Sequence, residues 1–105
     1  MKAVFHVDES DKWAHALANL TNFLAEVPDA QLVLVANGEA ITGYTDAKLR
    51  TKMQALPQVS FHACQNSMNA HQLTAADLPN YAVVVPAGVV DLAQLQADHF
   101  AYIKP

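Results

Sequence analysis

Leu32-Val33-Leu34-Val35, four branched apolar residues in succession, constrains this chain more than any other segment. A strand with one face in water alternates apolar and polar residues, so an unbroken run belongs to a strand covered on both faces, as in a parallel sheet flanked by helices. Lys2 to Val7 and Tyr81 to Val85 have the same character, and Val59 to Ala63, running into Cys64, is a further strand. Between the first two strands, Trp13, Leu17, Leu20, Leu24 and Val27 recur at spacings of four, three, four and three, which is one face of a helix. Ala16 and Phe23 widen that stripe, and Lys12, His15, Asn19, Asn22 and Glu26 occupy the opposite side. Ser10 is the expected N-cap, Asp11 sits where the helix dipole favours an acid, and Pro28 with Asp29 ends the helix.

After the strand Gln31 to Ala36, a loop containing Ile41, Gly43 and Tyr44 leads to a second helix. Thr45 or Asp46 caps it, Leu49, Met53 and Leu56 are its apolar positions, and Pro57 stops it. Gln65 to His71 reads as a short helical turn and Thr74 to Asp77 as a capped turn before Pro79. Asp91 to Ala97 has helical spacing, and Phe100 to Ile103 is a closing strand. Strands alternating with helices predict an α/β fold, a mostly parallel five-stranded sheet with helices on both faces and the first strand near its centre.

A chain of 105 residues makes one domain, and 52% hydrophobic residues against 15% charged, with three glycines and five prolines, exclude a disordered or fibrous protein. One cysteine cannot form an internal disulfide, and the Cys and His spacings of a structural zinc module are missing. The cytoplasm is the expected compartment. The opening MKAVFHVDES is too short in apolar residues for a signal peptide or a membrane span. Six basic residues against ten acidic ones give no support for nucleic-acid binding. Three of those six, Lys48, Arg50 and Lys52, fall within five residues and read as a solvated helix face, with docking of an acidic partner as the alternative.

Ligands of open parallel sheets bind beyond the carboxyl ends of the strands. That rule selects His6, Val7 and Asp8, then Asn37 and Gly38, then Ala63, Cys64 and Asn66, and last Pro86 to Gly88. Cys64, the one thiol, would stand at the first turn of the following helix, where unpaired N–H groups stabilise a thiolate. Alternation puts it with Ser60 and His62 on the more polar side of its strand, opposite Val59, Phe61 and Ala63. The plainer reading of Cys64 is a small buried hydrophobe. His6 is expected to line the crevice and bond a ligand or steady a nearby thiolate, or else to be satisfied by backbone groups. His62, Cys64 and His71 match no strong metal signature, His15 falls on a polar helix face and His99 is uninformative, so no metal is expected. Asn37-Gly38-Glu39-Ala40 could offer backbone N–H groups to a small anion, a plain turn being the simpler explanation. No glycine-rich phosphate loop and no G-x-S-x-G elbow can be written, and no cofactor is expected.

The strand KAVFHVDES, the helix WAHALANLTNFLAEVPDAQ, the strand and turn LVLVANGEAI, the segment VSFHACQNSM and the terminal stretch VVVPAGVVDLAQLQADHFAYIKP together resemble the DsrE/DsrF-like family of small sulfur-relay-related proteins. The most specific elements are V-x-F-x-x-C-x-N-S at Val59 to Ser67 and the terminal L-x-x-L-Q-x-x-x-F-x-Y-I-x-P. The resemblance implies a three-layer α/β/α sandwich, a homotrimer or homohexamer, and sulfur carried as a persulfide on the cysteine that corresponds to Cys64. It also implies a donor or acceptor protein as partner. The residues expected around the substrate are His6, Asn37, Gly38, Asn66 and Ser67. The competing expectation is a non-catalytic oligomeric module that binds a small metabolite without cysteine chemistry.

Overall fold

The computed structural model describes all 105 residues. Its strands are β1 (Lys2–Val7), β2 (Gln31–Ala36), β3 (Val59–Cys64), β4 (Ala82–Val85) and β5 (Ala101–Ile103). They lie in the order β4-β3-β2-β1-β5, and every neighbouring pair is parallel. The sheet is thus wholly rather than mostly parallel, and β2, the unbroken apolar run, is the central strand. β1, expected at the centre, lies between β2 and β5.

Helices α1 (Trp13–Glu26), α2 (Ala47–Gln54) and α3 (Gln65–Ala70) follow the first three strands, and α4 (Gly88–Ala97) joins β4 to β5. The steps from β1 to β4 all move the same way across the sheet, so right-handed crossovers lay α1, α2 and α3 on one face. The last connection reverses direction, and the same handedness carries α4 over the other face, against β3, β2 and β1.

The two faces are unequally covered. Phe5, Val7, Leu32, Leu34, Val59 and Phe61 point toward the first face and join Trp13, Leu17, Leu20 and Met53 in a core of 21 buried residues. On the second face Val4, Val33 and Val35 form a much smaller cluster, sealed beneath Leu92 of α4. Ten helical residues cannot span five strands. As a result β4, expected to be buried, is an exposed edge, with Val83 46% and Val84 37% accessible.

Local details correct several expectations. Ser10 does not cap α1, because a single 3-10 turn at Ser10–Lys12 precedes the helix and the Ser10 hydroxyl donates to the Glu39 carbonyl at 3.3 Å. The expected loop at Ile41 to Tyr44 belongs to a longer 3-10 run, Gly38–Thr45, that buries Ala40, Ile41, Gly43 and Tyr44. Trp13 Nε1 donates to the Ala40 carbonyl at 2.7 Å, and its indole fills the space where Gly43 has no side chain. Asp46 is the cap of α2, accepting from the Leu49 N–H at 2.9 Å. Arg50 is not a solvated lysine-like charge, since its guanidinium donates to the carbonyls of Tyr44 at 2.6 Å and Asp77 at 2.5 Å.

Candidate functional site at the ends of β3 and β4

After β3 the chain turns to the α3 side of the sheet, and after the adjacent β4 it turns to the α4 side. Two neighbouring strands whose connections part in this way leave a crevice between them at their carboxyl ends. Cys64, the last residue of β3, stands there, paired in register with Val85 of β4. It also precedes α3 as its N-cap.

Cys64 is buried, 5% exposed as a residue, and its sulfur is well supplied with donors. Gly88, the first residue of α4, donates its N–H to Cys64 Sγ at 3.2 Å. Burial pushes the thiol pKa up, but the Ser67 hydroxyl and the N–H groups of Gly88, Ser67 and Asn66 outweigh it, and the thiol is more acidic than usual. Ser67 can serve the sulfur because its own oxygen is already held, accepting the Gly38 N–H at 2.8 Å, which leaves the hydroxyl proton free to donate.

The remaining expected residues form a second group. His6 Nε2 lies 2.8 Å from Asn37 Oδ1, and His6 Nδ1 lies 2.6 Å from the Tyr102 hydroxyl. The amide oxygen can only accept, so neutral His6 carries its proton on Nε2 and accepts from Tyr102 at Nδ1. Both ring nitrogens are therefore occupied, and His6, two strands away from Cys64, does not bond the thiol as expected. Asn37 links the groups, because its Cβ and that of Cys64 both border Gly88. Gly38 joins the sulfur group through Ser67, while Asn66, an exposed residue, contributes its backbone N–H.

Sequence reasoning left out Tyr102, Gly88 as a donor, and a third group on the same face. His62 Nδ1 lies 2.6 Å from Asp91 Oδ2, and its Nε2 lies 3.1 Å from Ser60 Oγ. The alternation of β3 already placed Ser60 and His62 beside Cys64. Asp91 was invisible as their partner because only the fold brings α4 over β3. His71 is exposed at the end of α3, and no three or more His, Cys, Asp or Glu side chains are arranged to hold a metal ion. A cavity of about 290 Å³ borders the site, lined by Val85, Pro86, Ala87, Val90, Asp91 and Gln94. The largest cavity, about 420 Å³ among residues that include Phe5, Phe23 and Ile103, lies on the far side of the sheet and touches none of this chemistry. No helix is long and apolar enough to cross a membrane.

A wholly parallel five-stranded sheet between helices, with a lone cysteine at a strand end, defines a three-layer α/β protein. The chain belongs to the DsrE/DsrF-like family, whose model matches residues 2–105. Among solved structures it is similar to MTH1491, a protein of unknown function from Methanobacterium thermoautotrophicum, at 26% identity and a TM-score of 0.90, over 99% of this chain and 98% of that one. It is also similar in fold to the ychN protein from E. coli, at 13% identity and a TM-score of 0.82 over 100% of both chains. No curated protein matches the sequence.

Proposed function

We propose that this protein is a sulfur carrier that holds sulfane sulfur as a persulfide on Cys64. The observation that carries this reading is the bond from the Gly88 N–H to Cys64 Sγ, at the strand ends where such sheets place their ligands. In the loading step the Cys64 thiolate attacks the outer sulfur of a donor persulfide, a new S–S bond forms, the donor's own S–S bond breaks, and the donor leaves as a thiolate. Unloading is the same exchange with an acceptor thiolate. One sulfur suffices for both steps, and with no second cysteine the chain cannot resolve its persulfide internally. Because Cys64 is buried, the exchange includes a shift of the Pro86 to Gly88 turn away from it. His6, Asn37, Gly38, Asn66 and Ser67 form the polar surround of the incoming group. A donor or acceptor protein, and assembly into a homotrimer or homohexamer, belong to the same proposal.

Incubation with a small persulfide donor, followed by intact-mass measurement, tests it. One sulfur-sized increment on the wild-type chain and none on Cys64→Ser is the expected result; no increment, or one that survives the substitution, refutes it. The burial of the sulfur favours a second reading, a non-catalytic module that binds a small metabolite beside the His6, Asn37 and Tyr102 group. A thiol that takes no sulfur, together with a metabolite that raises the melting temperature, would select that reading.

A further inference from the structure

Helix α4 is tied to β3 at two points. Its first residue, Gly88, donates to Cys64 at 3.2 Å; three residues on, Asp91 accepts from His62 Nδ1–H at 2.6 Å. Three residues of helix advance about 4.5 Å and two residues of strand about 6.6 Å, so a helix laid against the strand brings both pairs together at once. The two ties are unequal. An N–H donating to a neutral thiol is a weak bond, whereas the carboxylate–imidazole bond is charge-assisted and its side chains are 14% and 15% exposed.

We propose that His62 and Asp91 are positioning residues for Cys64, their bond holding the first turn of α4 against β3 so that the Gly88 N–H is aimed at the sulfur. Leu92, the next residue, packs on Val4, Val33 and Val35 and holds the helix down on the sheet, but apolar contact does not fix its rotation. The Asp91 bond does. It places the proton of neutral His62 on Nδ1, so Nε2 accepts the Ser60 hydroxyl at 3.1 Å. The order Ser60, His62, Asp91 is that of an activated serine, yet Ser60 lies near the start of β3, at the opposite end of the strand from the crevice where such sheets bind ligands. The chain of bonds therefore anchors the helix. His6 and Tyr102, also on this face, bond each other beyond Asn37 and take no part in it.

The inference rests on Cys64 as the reacting group, and its test uses no sulfur donor. Thiolate absorbance in the ultraviolet is followed against pH in the wild type, Asp91→Ala, Asp91→Asn and Ser60→Ala, with Cys64→Ser as the blank and circular dichroism to confirm folding. Removing the Asp91 charge would, by Coulomb repulsion alone, favour the thiolate. Loss of positioning acts in the opposite sense: the thiolate fraction at pH 7 falls about threefold in Asp91→Ala, falls less in Asp91→Asn, and is unchanged in Ser60→Ala. An unchanged or increased thiolate fraction in folded Asp91→Asn overturns the inference, and that isosteric variant decides it even if Asp91→Ala does not fold. If the wild type takes up no sulfur while the predicted shifts appear, the carrier reading fails and the positioning stands.

Discussion

Gly88 sits so close to Cys64 that a β-carbon on the glycine would lie 3.3 Å from the cysteine Cβ and 3.2 Å from that of Asn37. Both neighbours are held at the ends of sheet strands, so a side chain at position 88 has to move the helix. Gly88→Ala gains about 0.5–1 kcal/mol of helix preference and loses about 1–3 kcal/mol to overpacking. A net loss of about 1 kcal/mol lowers the melting temperature by about 4–8 °C for a domain of this size. Calorimetry should show that drop, and thiol titration a smaller thiolate fraction at neutral pH as the N–H retreats from the sulfur.

Gly43→Ala is the more severe glycine substitution. A β-carbon there would fall 2.1 Å from Trp13 Nε1, and the indole cannot yield without abandoning its bond to the Ala40 carbonyl. The expected cost is about 3 kcal/mol. Trp13 is the one tryptophan, so its fluorescence reports the event directly. Denaturant unfolding followed by emission should give a lower midpoint and a red-shifted native spectrum.

Two groups give stability opposite dependences on pH. Burial, with a smaller contribution from Tyr81, raises the Tyr44 phenol well above its ordinary value, so its share of stability is complete below about pH 10 and is lost as pH rises beyond that. The Cys64 thiol is lowered, so its share is complete above about pH 8.5 and is lost as pH falls through the folded value. Wild type should therefore gain stability relative to Cys64→Ser between neutral pH and about 8.5, and both proteins should lose stability past about 10. Tyr44→Phe should blunt the alkaline loss while costing about 1 kcal/mol at neutral pH, because the His62 carbonyl loses the hydroxyl that donates to it at 2.7 Å. Urea titrations across this range check both signs.

Self-association is expected through the thinly covered side of the sheet, where Val89 and Val90 are each 65% exposed beside the open edge at Val83. Light scattering at micromolar concentration should give a mass three or six times that of one chain. Replacing Val89 and Val90 together by lysine should return it toward the monomer, and a monomeric wild type would count against the assembly.

The strands were legible because burial on both faces leaves a run such as Leu32 to Val35 with no other home. The cap of α2 was legible to within one residue, Thr45 or Asp46, because its chemistry is local. Ser10 was not, since the competing partner, Glu39, is remote in sequence. The same distinction divides the site. Cys64, Ser67 and Asn66 share one turn of chain and could be read together, and strand alternation put His62 beside them. The strand-end rule selected Gly88 but not its role as a donor, and Tyr102 and Asp91 reach the site only because the final crossover reverses direction, which no local pattern records. The thin cover over β4 was missed for a similar reason: its valines have the composition of a buried strand, and only the strand order shows that nothing lies beyond them.

That final crossover also sets an order of assembly. Ala3 pairs with Ala101 and the whole segment between them must be made first, so β5 and α4 are the last parts to join the sheet as the chain is synthesised. Until they dock, Cys64 has Ser67 and Asn66 but not Gly88, and Val4, Val33 and Val35 lie bare. Docking of the C-terminal segment therefore covers the second face of the sheet and brings the Gly88 N–H to the sulfur in a single event.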